Sequence, residues 1–396
     1  MNRYSNFRAP AFDAATITDT IERALASAGL DTTSGPMASV TQTIRQALSA
    51  NGASDPRPAP AAPDAFIDVS ARVVDAPATL RDTPRQRPNI IDDDNAPGTF
   101  QTHELRNAIG SRAYKLYVPA RVQAQPALVV MLHGCTQSAD DFAAGTRMNR
   151  LAEEHGFLVV YPEQAAHANV SKCWNWFNAK DQVRDTGEPA LIAGIVAEVA
   201  ARHGADPRRV FVAGLSAGAA MAVVLGQAYP ELFAGVGAHS GLPYASAHDI
   251  PSAMAAMKGG RGRTGAGLPR SGAVSSRAVQ HAVPTIVFHG DRDHTVQHEN
   301  AVRIVQQASD AFRQERGGSP LTSSTLRATS PAGRSYSRTV HADVDGVARI
   351  ESWTLHGAGH AWSGGHASGS YTDGSGPDAS AEMVRFFLAI PRAGSA

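Results

Sequence analysis

From residue 99 onward the chain alternates between short apolar runs and longer stretches of helical periodicity. Runs at 114–118, 127–132, 157–161, 210–213, 235–238, 283–289 and 350–355 read as strands. Several are continuously apolar, the pattern of parallel strands buried on both faces. Between them, 146–155, 188–203, 217–229, 299–316 and 378–388 read as helices. The alternation predicts an α/β fold with a mostly parallel central sheet, helices on both faces and right-handed crossovers. Ligands of such sheets bind beyond the carboxyl ends of the strands, so the chemistry is expected on the loops that follow them. Residues 245–280, rich in Ala, Gly, Ser and Arg, interrupt the pattern and are expected to form a flexible surface insertion or a lid.

The first 98 residues have a different texture. Ile17, Ile21 and Leu25 mark one helical face, and Val40, Ile44 and Leu48 repeat it, with Gly29 and Gly52 closing the two units. Residues 1–52 are therefore expected to be duplicated short amphipathic helices. Helices this short are marginal alone, so they should dock on the catalytic domain or bind a partner or polymer. Residues 53–98 are punctuated by proline and end near Asp92, Asp93 and Asp94, which predicts a disordered linker. The catalytic domain is then 99–396.

Composition narrows the function. Of 396 residues 43% are hydrophobic, enough for a large core, and 36 basic residues balance 36 acidic ones. A chain of zero net charge offers no field for a phosphate backbone, so no nucleic-acid partner is expected. No apolar run approaches the ~18 residues of a membrane span, and the first residues lack the apolar stretch of a signal peptide. Two cysteines, Cys135 and Cys173, leave room for one disulfide.

The chemistry centres on Gly214-Leu215-Ser216-Ala217-Gly218, which joins a strand to a small-residue helix. A serine in that sharp turn is exposed at the sheet's edge, with a helix N-terminus aimed at a developing oxyanion. Such a serine needs a base and an orienting carboxylate, in the chain order Ser, Asp or Glu, His. The strand at 283–289 leads into Asp291 and Asp293; the strand at 350–355 leads into His356 and, in a glycine-rich loop, His360. The catalytic set expected is Ser216, Asp293 and His360, with Asp291 and His356 as rivals. The turn His133-Gly134-Cys135-Thr136 follows another strand and is expected to offer a backbone N–H at Cys135, complementing that of Ala217, as an oxyanion site. His289, Asp291, Asp293 and His294 are contiguous rather than spaced for coordination, so no metal and no cofactor is expected.

With these segments on the page, the chain resembles the polyhydroxybutyrate depolymerase family of esterases, within the α/β-hydrolase superfamily and related to feruloyl and acetylxylan esterases. The resemblance covers about 99–392. It rests on LHGCTQSADDFAAGTRMN, GFLVVYPEQ, CWNWF, GEPALIAGIV, VFVAGLSAGAAMA, HSGLPY, TIVFHGDRDHTV, GAGHAWSGG and SYTDGSGPDASAEMVRFF. It implies Ser216 as nucleophile, His360 as base and, in the register HGxxDxxV, Asp293 rather than Asp291 as acid. It also aligns Trp362 with the tryptophan that follows the catalytic histidine. The implied substrates are poly- or oligo-(3-hydroxyalkanoate) esters such as polyhydroxybutyrate. Feruloyl or acetylxylan-type carbohydrate esters are the alternative, and a non-catalytic binding protein on a hydrolase scaffold is the alternative of another class. Trp362, Trp174 and Tyr244, with Trp176 and Phe177, are the expected walls for alkyl and ester surface. Cys135 and Cys173, on loops at the active-site end, are expected to pair. The resemblance implies an extracellular protein, whereas the N-terminus without a visible signal peptide leaves a cytoplasmic one open.

Overall fold

A computed structural model describes residues 97–260 and 281–391. The chain divides into two units, 1–85 and 86–396, and every described residue lies in the second. The duplicated helices, all but the end of the linker, and 261–280 of the expected insertion lie outside the described residues.

The second unit is built on a ten-stranded sheet. In chain order its strands are β1 (Thr99–Asn107), β2 (Gly110–Val118), β3 (Leu128–Leu132), β4 (Leu158–Pro162), β5 (Val210–Leu215), β6 (Gly235–His239), β7 (Thr285–Gly290), β8 (Thr322–Thr329), β9 (Ser335–Ala342) and β10 (Ala348–Leu355). The spatial order is β1-β2-β4-β3-β5-β6-β7-β10-β9-β8. The six strands from β4 to β10 are parallel, and antiparallel strands extend both edges. The helices are α1 (Ala139–Thr146), α2 (Met148–His155), α3 (Gly187–His203), α4 (Ala217–Ala228), α5 (Ile250–Met257), α6 (Glu299–Glu315) and α7 (Ala379–Ala389).

Alternation along the strands sorts the core into two layers. Val130, Leu132, Val160, Val212, Val236 and Val287 face α3, α4 and α6, whereas Val129, Met131, Val159, Phe211, Ile286 and Phe288 face α1, α2 and α7. The parallel strands are buried at every position from β3 to β7, which is why they appear as unbroken apolar runs. No helix among the described residues is long and apolar enough to cross a membrane.

Two expectations need correction. The helix expected at 146–155 is α2 alone, preceded by α1; Arg147 between them takes φ 53°, a left-handed break that stops one helix and starts the next. The expected insertion at 245–280 contains an ordered helix, α5, whose Asp249 caps it reciprocally with Ser252.

Candidate active site

Ser216 sits between the end of β5 and the start of α4, with φ 57° and ψ −119°. Such a backbone costs on the order of 1–3 kcal/mol for a non-glycine residue and is kept only where its surroundings enforce it. The flanking glycines do so by letting backbones touch. A Cβ on Gly214 would stand 2.5 Å from the Gly218 carbonyl carbon, and one on Gly218 would collide with the carbonyl oxygens of Leu132 and His133. The Ser216 N–H is held by the His239 carbonyl at 2.9 Å. Ser216 therefore stands on a turn locked to both neighbouring strands.

Asp293 and His360 are brought together from 67 residues apart. His360 Nδ1 lies 2.6 Å from Asp293 Oδ2, while Asp293 Oδ1 accepts the N–H groups of Thr295 at 2.9 Å and Val296 at 2.8 Å. Asp293 is only 2% exposed. Burial pushes its carboxyl up, but the hydrogen bond and charge of His360 and the Val296 N–H outweigh it and hold it below the usual carboxylate range. An ionised acceptor at Nδ1 fixes the tautomer with Nε2 free of its proton. The rivals pair with each other instead: His356 Nδ1 lies 2.9 Å from Asp291 Oδ2, at the exposed rim of the same two loops.

His239, at the end of β6, joins the two halves. Its carbonyl holds the Ser216 N–H, and its Nε2 accepts the N–H of Ser363, three residues past His360, at 3.0 Å. Complete burial pushes this imidazole down to about 3, so it stays neutral and keeps its acceptor. His289 beside Asp293 is likewise pushed down to about 4 by burial. His239 did not stand out in the sequence, because a histidine at a strand end carries no spacing signal of its own, and His289 was weighed there only as a metal ligand.

The turn after β3 is stitched from several sides. Gly134 N–H donates to Gln137 Oε1 at 2.8 Å and Thr136 N–H to the Ser171 carbonyl at 2.7 Å. The N–H of Cys135 between them is the one this turn leaves for a ligand among the described residues. His133 accepts the Gln164 N–H at Nε2 and donates from Nδ1 to the Gly134 carbonyl; burial lowers its pKa. Cys135 and Cys173 form a disulfide, and Trp174 Nε1 donates to the His133 carbonyl at 3.1 Å. Behind them Glu188, kept high by burial, accepts both N–H groups of Asn175 at 2.7 Å. Reducing the disulfide is expected to cost on the order of 3–4 kcal/mol for a loop of this length. Thermal unfolding with and without reductant should show a midpoint fall on the order of 5–10 °C.

Three of the five aromatics expected as walls, Trp362, Trp174 and Trp176, are buried. Trp362 is 1% exposed, its indole donates to Ser380 Oγ at 3.1 Å, and it packs on Phe142 and His239. Trp174 is wholly buried and Trp176 nearly so, while Tyr244 donates to the Gln182 carbonyl from a half-buried position. Both indoles have hydrogen-bond partners out of solvent, which places Trp362 and Trp174 in the core. Trp362→Ala is expected to destabilise the fold by roughly 3–5 kcal/mol, measured by denaturant unfolding. The aromatic that remains exposed beside the site is Tyr371. Its carbonyl accepts the Trp362 N–H at 2.7 Å and its hydroxyl lies 3.4 Å from Thr136 Oγ1, bridging the loop of His360 and the turn of Cys135.

Residues 112–316, just over half of the chain, match the family described as Esterase PHB depolymerase. The chain belongs to that family. The match includes Ser216 and Asp293 and ends before His360. Over 247 residues the chain is 34% identical to poly(3-hydroxyalkanoate) depolymerase C of Paucimonas lemoignei, covering 62% of this chain and 57% of that protein. It is 37% identical over 132 residues to feruloyl esterase B of Neurospora crassa, 33% of this chain and 44% of that one. The chain thus spans about half the length of the curated relatives it matches. Among solved structures, an acetyl xylan esterase from Aspergillus awamori superimposes with a TM-score of 0.56 at 21% identity, over 74% of this chain and all of that one. That likeness shows the α/β-hydrolase fold for this PHB depolymerase-family chain.

Proposed function

We propose that this member of the PHB depolymerase family is a serine esterase that hydrolyses poly- or oligo-(3-hydroxyalkanoate) esters through an acyl-enzyme on Ser216. The observation that carries the reading is the buried Asp293–His360 pair, anchored through His239 to the backbone of the Ser216 turn. His360 Nε2 takes the Ser216 proton as Oγ attacks the ester carbonyl. The N–H groups of Cys135 and Ala217 receive the oxyanion, helped by the N-terminus of α4. The alcohol leaves with the proton from His360, and water, activated by the same imidazole, releases the acid. Each step uses groups of this chain alone, with no metal or cofactor. The disulfide favours an oxidising, extracellular location.

The substrate class rests on the similarity to the poly(3-hydroxyalkanoate) depolymerase, and the similarity to feruloyl and acetylxylan esterases supports carbohydrate esters as the second reading. The deciding experiment compares release of 3-hydroxybutyrate from its oligomers with release of ferulate or acetate from sugar esters. Faster cleavage of hydroxybutyrate oligomers is expected; efficient cleavage of feruloyl sugars with the oligomers untouched would select the second reading. Tyr371, poised over the oxyanion turn, is proposed as a wall for the acyl chain. Tyr371→Ala is expected to raise KM several-fold for hydroxybutyrate trimers and little for 4-nitrophenyl acetate, in parallel steady-state assays.

A further inference from the structure

A second serine–histidine–aspartate chain lies outside the Ser216 site. Ser337 Oγ, on β9, is 2.8 Å from His356 Nε2, and His356 Nδ1 is 2.9 Å from Asp291 Oδ2. Both separations fall within the ~2.6–3.2 Å expected of a nucleophile, its base and the group that orients the base. The relay is braced. Asp291 Oδ1 accepts the Gly357 N–H at 2.7 Å, and the Arg334 guanidinium donates to the His356 carbonyl at 3.2 Å. Burial pushes the Asp291 carboxyl up, but the hydrogen bonds from His356 and Gly357 win and hold it below its ordinary range. An ionised Asp291 keeps the imidazole proton on Nδ1, which leaves the Nε2 lone pair facing the serine hydroxyl.

Its surroundings differ from those of the first site in two ways. The His356 and Asp291 side chains are 42% and 37% exposed, so reagents reach them directly from solvent. Ser337 sits within a strand paired on both sides, opposite Arg327 of β8 and Thr354 of β10. Directly opposed residues share a face of the sheet, so the exposed Arg327 stands across from the serine. The neighbouring backbone N–H groups serve the sheet, and Arg327 is the cationic residue directly across the strand pair from the serine.

We propose that Ser337, His356 and Asp291 form a second nucleophilic site that is acylated by small activated esters. With 4-nitrophenyl acetate, Ser337 Oγ bonds to the carbonyl carbon and its proton passes to His356 Nε2. The bond to nitrophenolate breaks, and the phenol leaves with that proton at low pH or as the anion at higher pH, when the proton goes to solvent. Water then cleaves the acetyl-serine with His356 as base, releasing acetate and restoring the hydroxyl. The nitrophenyl ester is activated and the serine ester that replaces it is not, so deacylation is the slower step and acetyl-Ser337 accumulates.

The test uses the full chain carrying Ser216→Ala, exposed to 4-nitrophenyl acetate, quenched in acid and mapped by peptide mass. Acetate is expected on Ser337, at a rate that falls on the order of 100-fold when His356→Gln is added. Asp291→Asn, which keeps the serine and imidazole, should slow it as well and serves if the glutamine variant does not fold. No acetate on Ser337, or an equal rate without the His356 imidazole, overturns the proposal. In the unsubstituted chain the same map reads Ser216 separately, so failure at one serine is distinct from failure at the other.

Discussion

Replacing Ser216 by alanine is expected to lower ester turnover by ~10⁴-fold or more, because the variant keeps the oxyanion donors and loses the atom that carries the acyl group. The fold should be unaffected. Alanine pays the same conformational strain at φ 57° as serine, and the glycines that permit the turn are untouched. Steady-state assays on a hydroxybutyrate trimer measure the loss. A small activated ester is the poorer probe, since Ser337 offers a second route to it. Turnover of the trimer within tenfold of the unsubstituted chain would remove Ser216 from the mechanism.

The next largest effect is expected at the acid. Asp293→Asn keeps the shape but presents an amide to His360 Nδ1, which favours the imidazole with its proton on Nε2, the nitrogen that must receive one from serine. A loss of roughly 10³–10⁴-fold in kcat is expected, with KM little changed. Asp291→Asn, at the exposed rim, should cost the same reaction less than ~10-fold; the reverse ranking would move the acid to Asp291. Stability follows with a definite sign. A carboxyl whose folded pKa is depressed stabilises the fold above its unfolded value near ~3.9, and that contribution is lost as the pH falls through the lower folded value. Asp293→Asn should therefore flatten the pH dependence of unfolding below about pH 4, measured by denaturant titration.

The parallel centre of the sheet was legible because its strands from β3 to β7 are buried on both faces and so appear as largely apolar runs. The edges were not. β8 is exposed along nearly its whole length and is built from Thr, Ser, Arg and Ala with one leucine, so it carries no alternation to detect. β1 has Leu105 as its one fully buried residue, for the same reason. The helix break at Arg147 depends on a left-handed residue that is not glycine, which composition does not announce.

At the site, strand-end loops pointed to Ser216, Asp293 and His360, since their order and the turn chemistry follow from the sheet. What escaped was the scaffolding. His239 acts through its backbone carbonyl and a neutral ring, and Tyr371 lies on a loop with no periodicity; only tertiary placement distinguishes them. Trp362 was expected as a wall because it follows His360 by two residues in a glycine-rich loop. Those glycines instead allow close packing: a Cβ on Gly365 would press on Thr372, and one on Gly376 would strike Ser363 Oγ. The indole is carried inward to Ser380.

The most direct measurement is the acyl-enzyme itself. The chain is mixed with a 3-hydroxybutyrate trimer, quenched in acid within the first turnovers, and digested for peptide mass mapping. A hydroxybutyryl group on the peptide carrying Ser216, absent from Ser216→Ala and depleted in His360→Gln, which loses the base that acylation needs, is the expected result. Trimer hydrolysis with no acyl group on Ser216 in any of these chains would contradict covalent catalysis at this serine.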